Sequence, residues 1–100
     1  MEIKHVEKDG KGEFIAIVEG VEAGKITFVK SSPEFIIADH TEVNDAFRGQ
    51  KVGNKIVAEM VTFAREANIK ILPLCPFVKS VFDKDVELNR TQRGDYLAIR

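Results

Sequence analysis

The residues best able to do chemistry fall in three short stretches. The first is Arg48-Gly49-Gln50-Lys51-Val52-Gly53, followed by Asn54 and Lys55. Glycines 49 and 53 let main-chain N–H groups come close to a pyrophosphate, and Arg48, Lys51 and Lys55 supply cations for phosphate oxygens. A helix beginning just after the string adds unpaired N–H groups and a favourable dipole. The same string also fits an ordinary glycine turn flanked by solvated charges. A P-loop is excluded by spacing, since that motif separates its glycines by four residues and continues with Lys-Ser/Thr, whereas three residues separate Gly49 from Gly53 and Asn54 follows.

The second stretch holds His40 and Glu42, two apart and therefore on one side of a strand, where either accepts a proton directly or through water. The alternatives are a structural histidine and a solvent-facing charge. The third is Cys75, which follows an apolar run and precedes Pro76. A thiol at a helix start is favoured as thiolate, which suits a nucleophile or a residue that handles protons at sulfur. Cysteine is equally at home as a small buried side chain.

The elements that position these residues are legible in the punctuation. Gly10 and Gly12, Gly20 and Gly24, and Ser31-Ser32-Pro33 break the first half of the chain. Between them Ile3–Lys8, Glu13–Glu19, Lys25–Lys30 and Glu34–Thr41 read as strands rich in Ile, Val, Phe and Thr, joined by connections short enough for antiparallel pairing. From Asn54 to Ala67 the period changes: Ile56, Val57, Met60, Val61 and Ala64 recur at helical spacing. Asn68 ends that helix, Ile69–Leu74 reads as a fifth strand, and Pro76 opens a brief second helix with Phe77, Val78, Val81 and Phe82 as its stripe. Tyr96-Leu97-Ala98-Ile99 reads as a last edge strand. The fold class is α+β in a mixed arrangement: a meander of strands, then helix, strand and short helix. A dinucleotide-binding Rossmann unit is excluded, because the loop follows a meander rather than opening an alternating sheet.

At these residues the chain resembles the GNAT superfamily of N-acetyltransferases, whose pyrophosphate loop lies between the fourth strand and the next helix. It is similar in particular to the very short GNAT-like proteins, through His40-Thr41-Glu42-Val43 before the loop and Pro73-Leu74-Cys75-Pro76-Phe77 after the fifth strand. The resemblance spans about residues 13 to 85 and implies a GNAT-like fold, acetyl-coenzyme A as coenzyme, and an amine of a small molecule or exposed polypeptide as acceptor. It further implies that Arg48 to Lys55 hold the phosphates, that the backbone from Thr41 to Val43 pairs with the pantetheine arm, and that His40 and Glu42 lie near the acetyl group. Cys75 matches the position proposed to be reactive in such proteins. Lys51 departs from the pattern, standing where the loop commonly has glycine; its ammonium is placed to compensate at a phosphate. Larger relatives often use a tyrosine as general acid, and Tyr96 matches no such motif. Their helices between the first two strands are also missing, since only Asp9 to Gly12 joins those strands here, so an open, shallow acceptor site is expected. The alternative to an enzyme is a module that senses coenzyme A or carries an acyl group on Cys75.

Composition narrows the rest. One hundred residues, 44% hydrophobic, support a single domain spanning residues 1–100. Fifteen basic and sixteen acidic residues give a net charge of -1, so no broad positive field exists for a nucleic acid. A lone cysteine fits a reducing, cytoplasmic setting, and neither a signal peptide nor a membrane span is read. One cysteine and two histidines assemble no zinc site of normal spacing, so no metal is expected. Arg93-Gly94-Asp95 is read as a chance tripeptide, Lys79 and Lys84 as solvated charges with a reach to the coenzyme's nucleotide end as the alternative, His5 as a strand surface residue, and the chain as a monomer or weak dimer.

Overall fold

The structure, a computed structural model, describes residues 1–84; the edge strand expected at Tyr96 to Ile99 lies outside them. Four strands form the meander: β1 (Glu2–Lys8), β2 (Lys11–Val18), β3 (Val21–Ser32) and β4 (Phe35–Val43). All three of its turns are two residues long, and the first two carry positive φ at both positions. Asp9 and Gly10 have φ of 54° and 79°, Glu19 and Gly20 have φ of 50° and 79°, and this pair of positive values matches the right-handed twist of the flanking strands. A single 3-10 turn, Asp45–Phe47, then leads to α1 (Val52–Ala67), β5 (Lys70–Pro73) and α2 (Pro76–Lys84). The sheet order is β1-β2-β3-β4-β5, antiparallel throughout except for the β4–β5 pair, which is parallel because α1 carries the chain across between them.

Alternation along the strands assigns the two faces of the sheet. Phe14 and Ala16 of β2, Ile26 and Phe28 of β3, Ile36 and Ala38 of β4, and Ile71 of β5 are buried on one face. Against them α1 lays Val52, Ile56, Val57, Met60, Val61 and Ala64, the expected stripe extended by one turn, and α2 adds Val78, Val81 and Phe82. The other face carries Glu13, Lys25, Thr27, Val29, Ile37 and Leu72, which are half-buried or exposed, and no described helix packs on it.

Two contacts add to the sequence reading. His5 is an exposed strand residue, as expected, and its ring also stacks on Phe14 at 4.5 Å and meets Phe63 edge-on at 4.4 Å, so it caps an aromatic cluster. Gly53, expected to open the backbone toward a ligand, is buried inside the first turn of α1. A Cβ there would sit 2.6 Å from the Phe77 ring, so glycine lets α1 and α2 approach.

Two outcomes follow for stability. Gly53→Leu should destabilise the protein by about 2 kcal/mol in urea unfolding, and adding Phe77→Ala should recover part of the loss; equal losses in the single and double variants would refute the contact. A hydrogen bond from Lys30 holds the Glu7 carboxyl below its ordinary value of 4.5, against the cost of its partial burial and with added attraction from Lys30 and His5. The stabilisation is therefore present above the unfolded-state value and is lost as pH falls through the folded one. Glu7→Gln should lower stability at pH 6 by less than about 1 kcal/mol and flatten the acid slope of the urea midpoint, because the pair is partly solvated.

Candidate functional site

Strand β4 is where the site is made. Phe28 lies opposite Ala38 and Thr27 opposite His40, so Asp39 is an extra residue that β3 does not match. The insertion changes which side chains face the helices. Without it, alternation from Ile36 and Ala38 would continue to His40. With it, Thr41 lies opposite buried Ile26 and Val43 opposite Gly24, while His40 and Glu42 lie opposite Thr27 and Lys25 on the bare face. Thr27 fixes the bulge by donating its hydroxyl proton to Asp39 Oδ1 at 2.6 Å.

Immediately beyond the bulge the sheet parts. The β4–β5 ladder ends at Ala38 opposite Pro73, and the last tie is the Cys75 N–H donating to Ala38 O at 2.9 Å. The outer edge of His40 to Val43 has no strand partner among the described residues. Cys75 therefore sits at the fork. Its carbonyl accepts the Lys79 N–H at 3.0 Å, which makes Cys75 the cap residue of α2, as expected from Pro76. Its side chain is inward, since the residue is only 6% exposed, and Sγ lies 3.2 Å from Thr41 Oγ1.

The loop Arg48 to Gly53 lies between β4 and α1, where it was expected, but the helix begins two residues earlier than the hydrophobic pattern suggests. Asn44 turns the chain out of the sheet: its Oδ1 accepts the Ala46 N–H at 2.9 Å and its own N–H bonds to Ala23 O at 2.8 Å. Gly49 then takes a φ of 84° and Lys51 a φ of 56°, and α1 starts at Val52. No side chain caps this start. The N–H groups of Val52, Gly53 and Asn54 precede the first intrahelical bond, which Lys55 N–H makes to Lys51 O, and are left for an outside acceptor. Lys51 tolerates the left-handed conformation that the family pattern assigns to glycine. Gln50 lies in the turn, its N–H bonded to Phe47 O, and Arg48 pairs with Asp45 at 2.9 Å in an exposed position. The described residues give Lys51 and Lys55 no ion-pair partner.

His40 and Glu42 share a face, as their spacing requires. His40 Nε2 is 3.5 Å from Glu42 Oε1, and Glu42 also lies 3.8 Å from Lys25 Nζ, which in turn reaches Glu13. Beside them an open cleft of about 400 Å³ is lined by Glu22, Gly24, Glu42, Val43 and Asn44. The site thus has two sides: Thr41, Cys75 and the start of α1 belong to the covered face, His40 and Glu42 to the bare one. Sequence reading missed Thr27, Asp39, Asn44 and Gly24. Only Asn44, a capping residue before a turn, had a local signature; a Cβ at Gly24 would lie 2.8 Å from Glu42 O and 3.0 Å from Val52 Cγ1, a crowding set by other elements.

Comparison with known proteins identifies the family and the fold. The sequence profile of the GCN5-related N-acetyl-transferases matches residues 13–91. The solution structure of a GCN5-like protein from Staphylococcus aureus is 32% identical, covering 90% of this chain and 85% of its own, with a TM-score of 0.66. The aminoglycoside N-acetyltransferase AAC(6')-Iy, solved in complex with CoA, shares the fold at a TM-score of 0.55 with 17% identity, covering 77% of this chain and 67% of its own. No curated protein gives a significant match. With its bulged fourth strand, parted sheet and uncapped helix start, the chain belongs to the GCN5-related N-acetyltransferase family.

Proposed function

We propose that the protein transfers an acetyl group from acetyl-coenzyme A to the amine of a small molecule or an exposed polypeptide. The observation that carries this reading is the juxtaposition, at one end of the sheet, of an uncapped helix start, an unpaired β4 edge and a cysteine at the fork between β4 and β5. The three free N–H groups of α1 suit a diphosphate, and Lys51 and Lys55 add charge at its flank. The edge from Thr41 to Val43 offers main-chain groups to the amide-bearing arm of the coenzyme, in the manner of an added strand.

When bound, the thioester supplies the carbonyl that an amine attacks and the sulfur that leaves. Cys75 gives a proton to that departing sulfur from the covered face. His40, with Glu42 beside it, takes the proton lost by the amine from the bare face, so the two proton transfers are separated by the strand. The bare face is open, with no described helix walling it, which favours a large or exposed acceptor over a small enclosed one.

Two measurements test this reading. Titrating acetyl-coenzyme A into isotope-labelled protein should perturb the amides of Val52, Gly53, Asn54 and Thr41 to Val43; no perturbation at millimolar coenzyme would sink the assignment. With an amine panel, Cys75→Ala should cut coenzyme release at least about 100-fold while leaving coenzyme affinity within about twofold. An acetyl adduct on Cys75, seen by intact mass with no amine present and not discharged by any amine, would instead favour the acyl-carrying module.

A further inference from the structure

Cys75 is the least solvated of the groups assigned to chemistry: 6% exposed, against side chains of His40 and Glu42 that are 63% and 57% exposed. A sulfur that bears charge in such a place needs donors from the protein, because water reaches it poorly. Pro76, next in the chain, has no N–H to give. The Cys75 N–H is already committed to Ala38 O. Thr41 Oγ1, 3.2 Å from Sγ and partly buried with it, is the side-chain group in reach, and its hydroxyl has this sulfur as its hydrogen-bond partner among the described residues.

Thr41 is there only because of the bulge. Regular alternation would aim His40 at the helices, and the extra Asp39 substitutes a short hydroxyl for a long imidazole at that point. Asp39 is in turn tied on the bare face by the Thr27 hydroxyl. The order of contacts is therefore Thr27 to Asp39, Asp39 to the phase of β4, and Thr41 to Sγ.

We infer that Thr41 is a positioning residue for Cys75, its hydroxyl held by the pinned Asp39 bulge to donate a hydrogen bond to the sulfur whenever that sulfur is deprotonated. The inference rests on the proposed part of Cys75 in transfer, but the contact itself is testable without coenzyme or acceptor. As the only cysteine in the chain, Cys75 is the one site that methyl methanethiosulfonate modifies, its sulfur displacing methanesulfinate to form a mixed disulfide.

The rate of that modification, followed by intact mass at neutral pH in the full chain, should fall about tenfold in Thr41→Val and stay within about twofold in Thr41→Ser, since one loses and the other keeps the hydroxyl. Thr27→Val, which touches neither residue, should slow the reaction by a smaller factor. A merely packing role for Thr41 predicts an unchanged rate for valine, which keeps the shape of threonine, and a faster one for serine, which lacks its methyl group. An unchanged or faster Thr41→Val, or a Thr41→Ser as slow as Thr41→Val, would overturn the inference. In turnover Thr41→Val, and to a smaller degree Thr27→Val, should lower kcat with little change in KM for acetyl-coenzyme A, while Thr41→Ser should keep it. If Cys75→Ala leaves turnover intact, the catalytic reading of Cys75 fails, while the modification rates still decide whether Thr41 controls the sulfur.

Discussion

Strand β4 carries one residue more than β3 can match, and the consequences of that mismatch spread through the whole end of the sheet. Because side chains alternate with a period of two, a single inserted residue exchanges the two faces for everything that follows. Up to Ala38 the strand is an ordinary core strand, giving Ile36 and Ala38 to the helices and pairing with β5. Past Asp39 it gives Thr41 and Val43 to the covered face, turns His40 and Glu42 to the bare one, and no longer matches β5. The insertion is stabilised by the 2.6 Å hydrogen bond between Thr27 and Asp39, a polar contact on the side of the sheet where polar groups remain near water.

The parting of β4 from β5 brings the rest together. With the ladder ended at Pro73, the chain takes two more residues to reach the start of α2, and Cys75 becomes both the last residue tied to β4 and the cap of the helix. On the other side of the fork, β4 runs on to Val43, and the turn from Asn44 to Lys51 sets the first N–H groups of α1 with no internal acceptor. Gly24 and Gly53 make this end compact by removing side chains where Val52 meets β3 and where Phe77 meets α1. Neither glycine is at a turn, and both are there for close packing.

Two layers are enough to hold this arrangement. One sheet face is closed by α1 and α2 around Phe14, Phe28, Ile56, Met60 and Phe82, all at most 1% exposed, and the margin near β1 is finished by the ring of His5 over Phe14 and Phe63. The other face carries charge pairs and half-buried aliphatic residues.

The sequence by itself determined the order of elements, the amphipathic stripe of α1, the capping place of Cys75 and the position of the glycine loop, because each depends on residues within a few places of one another. Periodicity, turn-forming Gly and Asn, and Pro76 at a helix start act locally. The two-residue start of α1 before Asn54 was hidden because Val52 and Gly53 pack closely against Gly24 and Phe77, which lie far away in the chain. Only the tertiary structure decided which side chains meet. That Gly53 serves helix packing follows from the approach of α1 to α2, and that Thr41 and not His40 faces Cys75 and that His5 lies on an aromatic cluster follow from strand register. Register is set by pairing between distant segments, and no local pattern in β4 discloses one unmatched residue.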